Sequence, residues 1–293
     1  MAYNIQIVKY PTGTQVRVYS DLVGVNTYKP IDDDLFLDYM DDLGNSHLVK
    51  LPSETGRISL ENKFYLNPFT EQYEKVRTVQ DIEYSEKSSR NRTKKKLYYD
   101  LRSNYWKWFV TLTFDGKKVD RYNYDECVKK MSNWLDICRR KCPDMQYILV
   151  VELHKDGAFH FHGVFNNCDE LGFTLSGKRD KRGRPVYNIG KYKLGFATAT
   201  LIDDLEKVCN YIGKYITKEL CAVTFGKKRY WKSRNLLQAD ITTYTFDGFE
   251  KNDLMQLLNQ YSNFHKRVEG YLSVDYFELP SEFELVDCFG EIL

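Results

Sequence analysis

Residues 4–19, N-I-Q-I-V-K-Y-P-T-G-T-Q-V-R-V-Y, alternate apolar and polar around Pro11-Thr12-Gly13, which predicts a β-hairpin. Three further runs read as buried or half-buried strands: W-F-V-T-L-T-F (108–114), Q-Y-I-L-V-V-E-L (146–153) and F-H-F-H-G-V-F (159–165). The turn His154-Lys155-Asp156-Gly157 joins the last two, with glycine where a positive φ costs little. Residues 195–202, G-F-A-T-A-T-L-I, predict another strand. Helical spacing predicts a helix over 122–141, burying Cys127, Met131, Trp134, Leu135 and Cys138 and stopped by Pro143. A second is predicted from a cap at Asp203 or Asp204 to about Leu220. A very basic helix is predicted over 85–104 and an amphipathic stretch over 253–261. Residues 176–185 read as a flexible basic loop, and the acidic, aromatic-rich segment 28–48 yields no element.

Composition narrows the class. A chain of 293 residues with 42% hydrophobic and 29% charged positions is globular, with enough length for one large domain or two small ones. It holds no run of about 18 apolar residues, so no membrane contact is expected. The start lacks the basic-then-apolar pattern of a secretory signal. Cys127, Cys138, Cys142, Cys168, Cys209, Cys221 and Cys288 form no C-x-x-C pair, which argues for a reduced, cytoplasmic location.

Charge is distributed unevenly. Residues 1–86 carry 8 Lys and Arg against 14 Asp and Glu, and residues 237–293 carry 3 against 11. Residues 87–236 carry 32 against 16, a net of +16. A basic block between acidic flanks predicts a polyanionic partner. The same composition shift divides the chain into an N-terminal β-rich accessory region (1–84), a central core (85–236) and an acidic C-terminal region (237–293). No G-x-x-x-x-G-K-S/T loop occurs, so no nucleotide-binding domain of that type is expected.

The chemistry concentrates in two motifs. In E152-L-H-K-D-G-A-F-H-F-H162, strand parity puts His160 and His162 on one face and Glu152 with His154 on the facing strand. Two imidazoles and a carboxylate can then hold one divalent cation, with His154 in reserve. The competing reading is a pair of satisfied histidines in a sheet. In V208-C-N-Y-I-G-K-Y-I-T-K218, Tyr211 and Tyr215 are four apart and predicted to share a helix face, with Lys214 and Lys218 each three residues after a tyrosine. A nearby cation and a metal-polarised electrophile both help a phenol to act as a nucleophile. The competing reading is a tyrosine stripe packed as core.

The order F-V-T-L-T-F, E-L-H-K-D-G-A-F-H-F-H, Y-I-G-K-Y-I-T-K over residues 85–236 resembles the three motifs of HUH endonucleases, the rolling-circle replication initiators of plasmids and single-stranded DNA viruses. The second motif is similar to that of geminivirus initiators, including the Glu eight residues before the first His. The paired tyrosines are more similar to those of small DNA phage initiators. The resemblance implies an α+β fold: an antiparallel sheet of about five strands with flanking helices, plus extra N- and C-terminal elements. It implies a metal-dependent endonuclease that nicks and rejoins single-stranded origin DNA through a 5′-phosphotyrosine. Glu152, His160 and His162 would bind Mg²⁺ or Mn²⁺, Tyr211 would attack first and Tyr215 second, and Lys214 and Lys218 would stabilise charge. Thr111 and Thr113 are assigned support or DNA contact. Arg90, Arg92, Lys94 and Lys95 in the basic helix, and Lys228, Arg229, Trp231 and Arg234 in the 225–236 stretch, are expected to hold phosphates and stack bases. The implied partners are single-stranded origin DNA and a host helicase and polymerase, in the cytoplasm of a bacterial host. The rivals are a relaxase or transposase of the same superfamily, and a non-enzymatic RNA-recognition-like sheet whose strands stack bases.

Overall fold

The computed structural model describes residues 2–24, 36–40, 46–50, 63–66, 73–76, 79–224, 227–270 and 272–281. Asp32, Asp33, Asp34, Asp41, Asp42, Phe225, Gly226, Cys288 and the acidic tail beyond 281 lie outside the described residues. The chain divides into two compact units, residues 1–3 with 22–89, and residues 4–21 with 90–293.

The strands begin with β1 (Tyr3–Tyr10) and β2 (Gly13–Val23). Two short hairpins follow, β3 (Phe36–Met40) with β4 (Ser46–Lys50), and β5 (Lys63–Leu66) with β6 (Tyr73–Val76). Next come α1 (Val79–Arg102), β7 (Trp108–Phe114), α2 (Tyr124–Lys141), β8 (Gln146–Leu153) and β9 (Phe159–Asn166). They are followed by β10 (Phe173–Arg179), β11 (Pro185–Ile189), β12 (Gly195–Leu201), α3 (Leu205–Gly213), α4 (Lys218–Val223) and β13 (Tyr230–Lys232). The chain closes with β14 (Asp240–Tyr244), α5 (Gly248–Tyr261), β15 (Phe264–Val268) and β16 (Val274–Leu279).

The larger unit is an α+β body built on two antiparallel sheets. One has seven strands in the order β10-β11-β12-β7-β9-β8-β13, two more than expected. The extra pair arises where a flexible basic loop was expected. Residues 173–189 form a hairpin at the sheet edge, closed by Asp180, whose carboxylate accepts from the backbone N–H groups of Arg182 and Arg184. Strand β7 alternates as its sequence predicts, with Trp108, Val110, Leu112 and Phe114 buried and Phe109, Thr111 and Thr113 on the open face. Helix α2 covers the buried face, where Trp134 stacks on Phe165 at 6.1 Å. Its start is fixed by Asn123, whose side chain accepts from the Glu126 N–H.

The second sheet has the order β14-β1-β2-β16-β15. The predicted N-terminal hairpin therefore pairs with strands from the acidic C-terminal region, so the two chain ends form one layer in space. Leu254 and Leu258 of α5 pack against Ile5, Ile7, Val16, Val18, Phe277 and Leu279 on one face of that sheet. The other face is polar and meets α1. Arg17 donates from Nη1 to the Tyr99 hydroxyl at 2.5 Å and from Nε to Gln15 at 2.8 Å, and Arg102 pairs with Glu278 at 3.1 Å.

Helix α1 thus differs from the solvated basic helix of the sequence reading. Leu97 and Leu101 enter the core of the seven-stranded sheet, and buried Asp100 accepts from Lys232 at 2.7 Å. Only its upstream part leaves cations in water: Arg92 and Lys95 are exposed, and Arg90 and Lys94 are half-buried.

Glycine at 163 fixes how closely β9 lies on β8. A Cβ there would sit 1.9 Å from the Ile148 carbonyl oxygen, so backbone must move to admit alanine. Overpacking of this kind costs about 1–3 kcal/mol. Gly163→Ala is expected to lower the denaturant midpoint by at least that equivalent. Gly116→Ala, where nothing lies within 4 Å, is the control expected to leave it in place.

Candidate active site

The open face of the seven-stranded sheet carries the residues singled out by sequence. Register sets Glu152 of β8 opposite His160 of β9, and His160 opposite Thr113 of β7. His162 faces Thr111. The four side chains of the E-x-H and H-x-H pattern lie within one patch, brought together by the tight turn at Gly157, whose φ is +84°. Its Asp156 carboxylate accepts from the Ala158 N–H at 3.0 Å, which closes the turn.

Each histidine has one nitrogen fixed by a threonine. Nδ1 of His162 is 3.1 Å from Thr111 Oγ1, and Nδ1 of His160 is 3.3 Å from Thr113 Oγ1. Nε2 of His162 lies 2.6 Å from Glu152 Oε2. The hydrogen bond from His162 holds the Glu152 carboxyl below the ordinary glutamate range, against the opposing effect of its burial. Burial lowers the His160 pKa first, and the neighbouring His154 and His162 lower it further. His154, the reserve ligand, stacks on His160 at 5.1 Å between ring centres and bonds through Nδ1 to Asp156 at 3.1 Å.

Among the described residues no three His, Cys, Asp or Glu side chains converge as a ready ligating cluster. The donor set nonetheless suits a divalent cation. Holding Nδ1 against a hydroxyl is how proteins orient imidazole ligands through the other nitrogen. A cation would take the place of the proton that His162 and Glu152 share.

The tyrosine segment departs from expectation. Asp204 caps α3 as predicted, accepting from the Lys207 N–H at 3.0 Å, but the helix stops at Gly213. Thr217 starts α4 as its N-cap, with φ −88° and ψ 171°, and accepts from the Leu220 N–H at 3.1 Å. An N-cap residue takes extended backbone, so a threonine that caps interrupts a continuous helix. Tyr211 sits in α3 and Tyr215 in the break, so they do not share a helix face.

Tertiary packing still pairs the two rings, at 5.3 Å and 80°. Tyr215 lies flat on His162, 4.1 Å between centres and 4° from parallel. It is 8% exposed, and burial, with the hydrogen bond and charge of Tyr211, drives its phenol well above the ordinary tyrosine value. Tyr211 is 47% exposed and packs on Phe109. Lys214 follows the helix end with its Nζ 5.9 Å from the Tyr211 ring centre. Lys218 is the first residue of α4; its side chain lies outside the described set.

The proposed DNA contacts of the 225–236 stretch lie elsewhere. Trp231 on β13 packs against Phe161 at 5.4 Å, on the sheet face that α2 covers. Lys228 and Arg234 are exposed, Arg229 is half-buried, and the Lys228 carbonyl accepts from the Tyr124 hydroxyl.

Sequence reasoning missed a cleft of about 650 Å³ beside Tyr211. Phe109, Thr111, Thr198 and Thr200 floor it, Tyr211 and Lys214 border it, and Lys181, Arg182 and Arg184 of the edge hairpin wall it. The signal was present as D-K-R-G-R, which a turn-forming Asp and Gly make rigid.

Residues 107–220 match a family model of replication-associated proteins of the ORF2 type. No curated protein and no solved structure matches the chain. Among the described residues no helix is long and apolar enough to cross a membrane.

Both titratable shifts at the site act in one direction. A His held below its ordinary value, and a Glu likewise, bind fewer protons folded than unfolded, so stability rises with pH. Their contribution is complete above the unfolded histidine value of about 6.5 and is lost on acidification, first through His160 and then through Glu152. Metal-free protein titrated by histidine NMR is expected to show the His160 ring protonating below the ordinary histidine value. An ordinary or raised value would contradict the assigned burial.

Proposed function

Because residues 107–220 place the chain with the replication-associated proteins, a replication initiator family, we propose that this protein starts rolling-circle replication by nicking single-stranded origin DNA and later rejoining it. The observation that carries this reading is the stack of Tyr215 on His162. It sets a tyrosine pair directly on the carboxylate–imidazole row.

Glu152, His160 and His162 would hold Mg²⁺ or Mn²⁺, with His154 beside them. Bound there, the ion supplies Lewis acidity toward the scissile phosphate. The chain's own groups then divide the work. Thr111 and Thr113 hold the two imidazoles in orientation. The half-exposed Tyr211 attacks phosphorus; its phenol loses its proton, an O–P bond to the 5′ side forms, and the bond to the 3′ oxygen breaks. That oxygen leaves as a 3′-hydroxyl, the primer a host polymerase extends. Lys214 stabilises charge on the Tyr211 oxygen.

The two phenols are suited to different turns. Tyr215 is held as a neutral phenol by its burial and by Tyr211, which makes it a poor first nucleophile. Once Tyr211 is esterified, that hydrogen bond is lost and Tyr215 becomes the free phenol available for strand closure.

A suicide oligonucleotide carrying the native origin tests this. Wild type with Mg²⁺ or Mn²⁺ is expected to give a covalent protein–DNA band, absent with EDTA. Tyr211→Phe is expected to lose the band or reduce it at least a hundredfold. Tyr215→Phe should form the band but release no closed circles. The double variant His160→Ala/His162→Ala should form no adduct yet keep most of its DNA affinity, since that arises from counterion release at the basic block. Full nicking by that double variant would sink the metal assignment, and normal nicking by Tyr211→Phe would reverse the order of the tyrosines.

A further inference from the structure

The cleft under the edge hairpin is built for one unit of a polynucleotide. Its floor is the open face of β7 and β12, where register sets Thr198 opposite Thr111 and Thr200 opposite Phe109. Hydroxyls and a ring therefore line a surface that continues directly to Tyr211. The volume of about 650 Å³ falls within the range of about 300–1,000 Å³ typical of small-ligand sites.

The wall is cationic and rigid. Arg184 is clamped between two carboxylates, Asp180 at 2.9 Å and Asp203 at 2.8 Å. Asp180 also accepts from the Arg182 and Arg184 N–H groups, each at 2.9 Å, and Gly183 takes the positive φ of 79° that the turn requires. Arg184 is neutralised by this clamp and acts as a strut. Lys181 and Arg182 are exposed at the tip, and among the described residues neither forms an ion pair. Two uncommitted cations on a fixed arm, above a floor of threonine hydroxyls and aromatic rings, match the two halves of a nucleotide: phosphate outside, base inside.

We propose that the β10–β11 hairpin is a clamp for single-stranded DNA. On this assignment Lys181 and Arg182 grip backbone phosphates, and one nucleotide next to the scissile phosphate seats in the cleft against Phe109, Thr198 and Thr200. This rests on the reading of the chain as a DNA-nicking initiator, but binding and nicking are measured separately.

The test measures affinity of the full chain for a fluorescent single-stranded oligonucleotide against salt, in EDTA. Each phosphate contact adds about 0.7 to the slope of log affinity against log salt for single strands, so losing two flattens it by about 1.4. Lys181→Ala/Arg182→Ala is expected to show that flattening. Arg140→Ala/Lys141→Ala removes the same charge from exposed positions on α2, which covers the other face of the sheet, and is expected to leave the slope unchanged. Equal flattening by both pairs reduces the effect to net charge and overturns the clamp, as does flattening by neither. A wild type that binds no single strand overturns it too. A wild type that binds, with the hairpin-specific flattening, but never forms a covalent band upholds the clamp and refutes the nicking reading instead.

Discussion

Everything at the site depends on the pairing register of three neighbouring strands, β8, β9 and β7. Side chains alternate across a strand, so a slip of one residue would carry His160 and His162 to the face that α2 covers and bring Phe161 to the open one. Two features hold the register. The turn at Gly157 fixes the length of the hairpin, and the close approach of β8 at Gly163 leaves no room for any side chain. The apolar partners on the other face, Phe161 and Phe165 against Trp134 and Phe114, make the opposite choice costly.

A division of labour follows across the two faces of the same sheet. The α2 face is a continuous apolar core. The open face is covered only in part, by α1, α3 and α4, and where that cover ends the sheet presents threonine hydroxyls, imidazoles and Phe109. Cover and opening meet at the break between α3 and α4. A continuous helix would have carried Tyr215 onward along its own axis. The break, set by the Thr217 cap, lets the ring turn back onto His162.

The remaining layers stabilise this sheet from outside it. Helix α1 has a polar surface that meets Arg17 and Glu278 of the second sheet and an apolar surface that enters the main core. The acidic ends of the chain form that second sheet, while the uncommitted cations, such as Lys181, Arg182 and Lys214, surround the site. Like-charged surface is thus gathered where a polyanion would be held, and the acidic surplus is built into a separate layer.

The sequence by itself determined the parts ruled by local periodicity. Strands 108–114 and 146–153 fall where two-residue alternation and β-branched content put them, and α2 follows its apolar stripe. The convergence of Glu152, His160 and His162 was legible for the same reason, since a tight turn and strand parity are local facts. Tertiary structure decided what depends on partners distant in the chain. The threonines that orient each histidine come from a strand 47 and 51 residues away. The burial of α1, the joining of both chain ends in one sheet and the packing of Trp231 beneath the site rather than in it are long-range choices. The periodicity of V-C-N-Y-I-G-K-Y-I-T-K permitted one helix or two. A single side-chain cap at Thr217, with the flat surface of His162 to receive Tyr215, decided between them, because a helix end is a competition between backbone and side-chain hydrogen bonds that packing resolves.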